Sequence, residues 1–177
     1  MYSTLKRQKS YKKIKRWMVT VLPFDRYALV RDPYDRLESF YFDKLHKSLD
    51  DTDYFVRSQR IFFSVMNLEG STAKEKHEAL KEIDFPKFIE LLPEIYDRNR
   101  HLHPQYWMFK NTKYKRFLKI EHHQDQDMMR KKLNIDLNIK ANVTDKQNID
   151  WQKNMIEVVN KIYNEDFRLF DYQKNEI

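Results

Sequence analysis

The chain of 177 residues contains a single glycine, Gly70, and no cysteine. Without thiols it has no disulfide scaffold and no thiolate metal site, so the fold is indifferent to redox compartment and a reducing cytoplasm is the expected location. The near-absence of glycine excludes a glycine-rich phosphate loop, whose backbone amides approach an anion closely at positive φ. No run reaches the roughly 20 apolar residues that cross a bilayer, and the amino terminus lacks the apolar core of a secretion signal. A soluble chain with no membrane span is expected. No internal repeat and no low-complexity linker divides it.

Apolar residues make up 41% of the chain and aromatic residues 15%, enough to bury one sizeable core. The expected organisation is a basic arm over residues 1–16 followed by a single domain over 17–177. Net charge is +7, from 34 Lys and Arg against 27 Asp and Glu. Lys6, Arg7, Lys9, Lys12, Lys13, Lys15 and Arg16 crowd the arm with no acid between them, a density that suits an anionic partner. A solvated arm accounts for the same charges. No zinc-finger or RNA-recognition signature accompanies them, so nucleic acid is not the expected partner.

The chain is organised around residues 27–41, which read as a strand running into a helix. Tyr27 to Val30 are apolar and β-prone and end at Arg31. Asp32 is a good N-cap, Pro33 suits the first helical position, and Asp35 places negative charge in the first turn. At helical spacing Leu37, Phe40, Tyr41 and Leu45 share one face, with Asp35, Arg36, Ser39 and Asp43 on the other. The helix is expected to reach Leu49. Arg31 at a strand's carboxyl end and Ser39 on the following helix's polar side suit a phosphate in the crevice of an open α/β sheet.

Elsewhere, Trp17 to Leu22 reads as a strand or a helix end, and Phe55 to Met66 as a helix with an apolar face. Glu69 to Lys76 reads as a loop. Phe85, Phe88, Leu91, Leu92 and Ile95 predict a helix capped by Asp84. It gives way to a polar loop, 98–105, that carries His101 and His103. Arg116 to Glu121 predicts a short strand, followed by a helix with Met128, Met129 and Leu133. A polar linker, 138–148, leads to a last helix with Trp151, Met155, Val158, Val159 and Ile162 on one face, and the aromatic residues of 163–172 are expected to pack on the body. Strands followed directly by helices favour an α/β fold with a small parallel sheet covered by helices.

Residues 30–41, Val-Arg-Asp-Pro-Tyr-Asp-Arg-Leu-Glu-Ser-Phe-Tyr, resemble the 3′-phosphate-binding motif of carbohydrate sulfotransferases that use 3′-phosphoadenosine 5′-phosphosulfate, PAPS. The segments around Asp84, Asn99 to Tyr106, Phe117 to Glu121 and Ile162 to Tyr172 are similar to that family in the same order, with Asp171 where its closing segment has a glycine. The resemblance implies a P-loop-NTPase-like sulfotransferase architecture, PAPS as donor, a carbohydrate or glycoconjugate acceptor, and 3′-phosphate binding by Arg31 and Ser39. Taken singly, Arg31 reads as an ion-pair partner of Asp32 or Asp35 and Ser39 as a polar-face serine; the whole motif favours phosphate. The family's 5′-phosphosulfate loop, a strand ending in a Pro-Lys-Thr-like turn, is not found in residues 1–26. A chain shortened at its amino terminus, a divergent arm, or a donor loop supplied by another polypeptide or by a second copy would each account for this.

Sulfuryl transfer needs charge neutralisation and a base for the acceptor hydroxyl. His101 and His103 are the candidate bases, because an imidazole with a pKa of about 6.5 accepts a proton at neutral pH. In an extended loop their side chains would point apart, so one is expected to act, with His101 preferred. Glu121, His122 and His123 lack further ligands for a metal, and no metal is expected. Two functions follow: a PAPS-dependent carbohydrate sulfotransferase, or an impaired sulfotransferase-like subunit that binds the nucleotide without turnover. A basic nucleic-acid binder is a third, weaker alternative.

Overall fold

A computed structural model of the protein describes residues 25–46, 57–133 and 149–176. They fall into two compact units, one of residues 25–31 and 108–133, the other of 32–46, 57–107 and 149–176. The basic arm, the segment 17–22, Phe55, and the polar linker 138–148 lie outside the described residues.

In the first unit the apolar run Tyr27–Val30 forms strand β1 and Arg116–Lys119 forms β2. They pair in parallel, Tyr27 opposite Arg116 and Val30 opposite Lys119. Lys115 N–H donates to the Arg26 carbonyl at 2.8 Å and Ile120 N–H to that of Val30 at 3.1 Å, so the ladder continues past both ends. Parallel strands require a long crossover, and here residues 31–115 supply it. Ala28, Val30 and Leu118 are buried. β2 stops at Lys119, two residues before the expected Glu121, because the chain turns there; on the side away from β1 the Lys119 N–H is taken by the Asp125 carboxylate at 2.9 Å. Asp125 also accepts from Arg116 Nη2 at 2.7 Å. It lies in the first turn of a helix, His123–Leu133, which contains Met128, Met129 and Leu133 as expected. His123 therefore opens a helix.

The second unit is helical. Helix α1, Pro33–Phe40, starts where its signals agree: the Asp32 carboxylate accepts from the N–H groups of Tyr34 and Asp35, and Pro33 occupies the first turn. It passes into a π-helical segment, Tyr41–His46, beyond which the expected extension to Leu49 lies outside the described residues. Leu37, Phe40, Tyr41 and Leu45 are all buried, as their spacing requires. Helix α2 is Arg57–Val65; of its predicted apolar face Phe62 is fully buried, whereas Ile61 and Val65 are only partly so, and Ser58 and Gln59 are buried with it.

The segment expected to be a loop over 69–76 is half helix, since α3 spans Ala73–Lys81. Thr72 and Glu75 form a reciprocal capping box, with the Thr72 hydroxyl bonded to the Glu75 N–H and the Glu75 carboxylate accepting from the Thr72 N–H. That local device outweighs the turn tendency of the neighbouring Gly70 and Ser71. Helix α4, Phe85–Ile95, is capped by Asp84 as predicted.

After a single turn, α5 at Tyr106–Phe109, and the His123–Leu133 helix, α6, the chain closes with α7, Lys153–Ile162, and α8, Asn164–Phe170. On α7 Met155, Ile156 and Val159 are buried, whereas Val158 and Ile162 sit at the margin of the core. Phe88 and Leu92 from α4 reach the centre of this unit, where Phe40 stacks on Phe88 at 5.6 Å and Trp151 meets Phe85 edge-on at 5.0 Å. Each such fully buried side chain contributes about 1.5–3 kcal/mol. The aromatic closing segment joins it through Phe167, and Tyr34 packs against both Phe167 and Trp151.

Candidate functional site

Between α4 and α5 the loop 98–105 is not extended, as the histidine alternation assumed, but folded as a turn. Asn99 organises it from inside: its carbonyl accepts from the N–H groups of Leu102 and His103, and its side-chain oxygen accepts from the His101 N–H at 2.9 Å. Asn99 is buried, so these bonds take the place of water. The turn separates the two histidines. His103 Nε2 donates to the Asp97 carbonyl at 2.9 Å, and its ring lies 5.1 Å from that of Trp107. His101 lines a cleft instead.

That cleft, of 560 Å³, is also lined by Lys44 from the π-helical segment, Arg57 and Ser58 from the start of α2, and Arg98 and Arg100 from the loop. Among the described residues Arg57, Arg98 and Arg100 have no carboxylate partner. Among the described residues Asp43 is the one acid that lines the cleft, and a concave surface with this balance attracts anions. His101 feels it. Partial withdrawal of the ring from water is the largest influence, and the positive charges of Lys44, Arg36 and Arg100 add to it, so the imidazole titrates below its ordinary value. At neutral pH it is an acceptor for a proton.

The loop is held from behind by three side chains. Arg36 Nη2 donates to the carbonyls of His101 and His103 at 2.9 and 2.5 Å. The Tyr163 hydroxyl donates to the Leu102 carbonyl at 2.7 Å. Asp166, fully buried, accepts from the N–H groups of Gln105 and Tyr106 at 2.7 and 2.8 Å and faces Arg36 Nη1 at 3.5 Å. Burial raises the Asp166 pKa, opposed by those two N–H groups and by Arg36. Burial likewise pushes the Tyr163 phenol up.

Of the other predicted residues, Arg31 follows β1 directly, and the Glu121 carboxylate lies 3.9 Å from its guanidinium. Asp32 is committed to its cap. Ser39 lies on α1, partly exposed, with no hydrogen-bond partner for its hydroxyl among the described residues. Arg31 belongs to the first unit and Ser39, His101 and His103 to the second. No group of three His, Asp or Glu side chains among the described residues is arranged to hold a metal, and no described helix is long and apolar enough to cross a membrane.

Sequence reasoning missed Arg36, Tyr163, Asp166 and the cationic lining of the cleft. Arg36 sits inside the Arg-Asp-Pro motif on the predicted polar face, and Asp166 beside Phe167 in the closing segment, so both were visible as residues without a task. The four cations come from three separate stretches, and no spacing rule joins them.

The family model of the sulfotransferase family matches residues 1–173. No curated protein and no solved structure matches the chain.

Proposed function

The chain belongs to the sulfotransferase family, and from that premise we propose that it transfers a sulfuryl group from PAPS to a hydroxyl of a carbohydrate acceptor. The observation that carries this reading is a histidine held below its ordinary pKa on the wall of a cleft that Lys44, Arg57, Arg98 and Arg100 line. PAPS, when bound, supplies the sulfuryl group and a phosphorylated nucleoside as leaving group. His101 takes the proton from the acceptor hydroxyl as its oxygen bonds to sulfur and the bond from sulfur to the leaving oxygen breaks. Lys44, Arg57, Arg98 and Arg100 offset negative charge at the reacting group, the largest single contribution available to a reaction of this kind.

The 3′-phosphate falls to Arg31 and Ser39, the residues to which the motif assigns it. Two features support the assignment: Arg31 stands immediately past the end of a parallel strand, and the Ser39 hydroxyl has no partner among the described residues. Both chemistries suit a dianion, the guanidinium through paired N–H groups and the hydroxyl through a single donor. The cleft volume falls within the range of small-ligand sites. A P-loop-NTPase-like architecture is part of the same proposal, supported by the two-stranded parallel sheet with a helix following each strand.

The test has two stages. The purified chain is titrated with adenosine 3′,5′-bisphosphate, then assayed for transfer of labelled sulfate from PAPS to a panel of glycans. Saturable binding followed by labelled product is expected. Binding without transfer overturns the enzyme and leaves a nucleotide-binding subunit; undiminished binding in Arg31→Ala overturns the 3′-phosphate role of Arg31.

A further inference from the structure

We propose that Arg36 is a positioning residue that sets the histidine loop and so aims His101 into the cleft. The proposal rests on reading His101 as the base, and it goes beyond that reading by assigning a task to a side chain outside the cleft.

Three consecutive carbonyls, of residues 101, 102 and 103, and two consecutive N–H groups, of 105 and 106, are bonded to side chains distant in sequence. Surface loops ordinarily leave such groups to water. Here they are satisfied from α1, from α8 and from the residue that joins α7 to α8. Arg36 is the centre of the arrangement, because its guanidinium touches each of the other holders: Asp166 at 3.5 Å and the Tyr163 ring at 5.5 Å from its centroid. Withdrawing a carboxylate from water costs several kcal/mol and is tolerated where its partners are complete. Asp166 is complete only when the loop is in place.

Position is what a general base requires. It must lie within hydrogen-bond reach of the proton it takes, and a displacement of about 1 Å lowers rate by roughly 100-fold. Lysine at 36 keeps the charge opposite Asp166 but has no planar fork with which to fix two carbonyls and a carboxylate together. Among the described residues the charged groups that face His101 are Lys44 from the π-helical segment, Arg36 from α1 and Arg100 from the loop, with Asp43, Arg57 and Arg98 on the same cleft.

The experiment compares Arg36→Lys and Arg36→Gln in the full chain, each also combined with His101→Gln. Circular dichroism establishes folding, NMR follows the His101 titration and amide exchange at Gln105 and Tyr106, and kcat and KM are measured with PAPS. For R36K we expect kcat to fall by roughly 10- to 100-fold with KM for PAPS little changed. In the H101Q background the same substitution should cost nothing further. R36Q should also raise the pH at which His101 titrates, because one of its positive neighbours is gone, while R36K leaves it in place; both should speed exchange at Gln105 and Tyr106.

An unchanged kcat in folded R36K, or an equal loss with and without His101, overturns the proposal. Failure of R36K to fold assigns Arg36 to the fold alone and overturns it too. If the parent chain transfers no sulfate, the function proposed above fails, while the positioning claim stands or falls on amide exchange and the His101 titration.

Discussion

The buried carboxylate of Asp166 accepts the backbone N–H of Gln105 at 2.7 Å, joining the first turn of α8 to the loop that carries both histidines. Asp166→Ala removes this acceptor and takes away the carboxylate that faces Arg36. Breaking such a buried pair costs about 3–5 kcal/mol. Asp166→Asn keeps one oxygen for an N–H and should lose less. Urea denaturation midpoints at constant slope read both values, and equal stability of the alanine variant and the parent would refute the account.

His101 titrates below the ordinary histidine value, so the folded chain binds its proton less tightly than the unfolded chain. Its effect on stability is absent above about pH 6.5 and becomes a loss as pH falls from there through the folded pKa. The acid limb of kcat/KM should lie below pH 6.5 in the same way. His101→Gln should abolish that limb and lower transfer by about 100- to 10,000-fold, whereas His103→Gln, whose ring is turned to the Asp97 carbonyl, should retain the limb.

Asp32 and Asp84 each cap a helix through a side-chain oxygen, and each replaced by alanine should cost about 1 kcal/mol. The two caps serve different helices, so the double variant should lose the sum to within roughly 0.5 kcal/mol. Thermal or urea unfolding of the three variants checks both statements.

Asp171 ends α8 with φ 55° and ψ 47°, the left-handed conformation. Aspartate tolerates this better than most residues, and a β-branched side chain tolerates it poorly. Asp171→Gly should be at least as stable as the parent, and Asp171→Val less stable by about 1–2 kcal/mol. A valine variant as stable as the parent would show that the conformation at 171 costs nothing.

The cationic cleft makes a separate prediction about charge. Replacing Arg98 and Arg100 together by glutamine should slow sulfate transfer by about 100-fold or more while leaving the urea midpoint almost unchanged, because neither side chain has a carboxylate partner among the described residues. Parallel assays of turnover and unfolding separate a charge role in the reaction from one in stability.

What local chemistry decides was legible in the sequence. β1 ends at Val30, α1 starts at Pro33 and α4 at Phe85 because caps, prolines and apolar spacing act over a few residues and agree with one another. The buried face Leu37, Phe40, Tyr41 and Leu45 followed from helical period alone. The Thr72–Glu75 box is equally local, but Gly70 and Ser71 beside it carry a competing loop signal.

The Arg-Asp-Pro motif was sufficient to point to the sulfotransferase family. Tertiary structure alone turned Arg36 toward loop carbonyls 65 and 67 residues away, gave Asp166 its two N–H partners across 61 and 60 residues, and gathered Lys44, Arg57, Arg98 and Arg100 around His101. The physical reason is range. A cap or an apolar stripe is decided by neighbours along the chain, whereas a buried carboxylate and a cationic cleft are decided by whichever groups packing brings within about 3–4 Å.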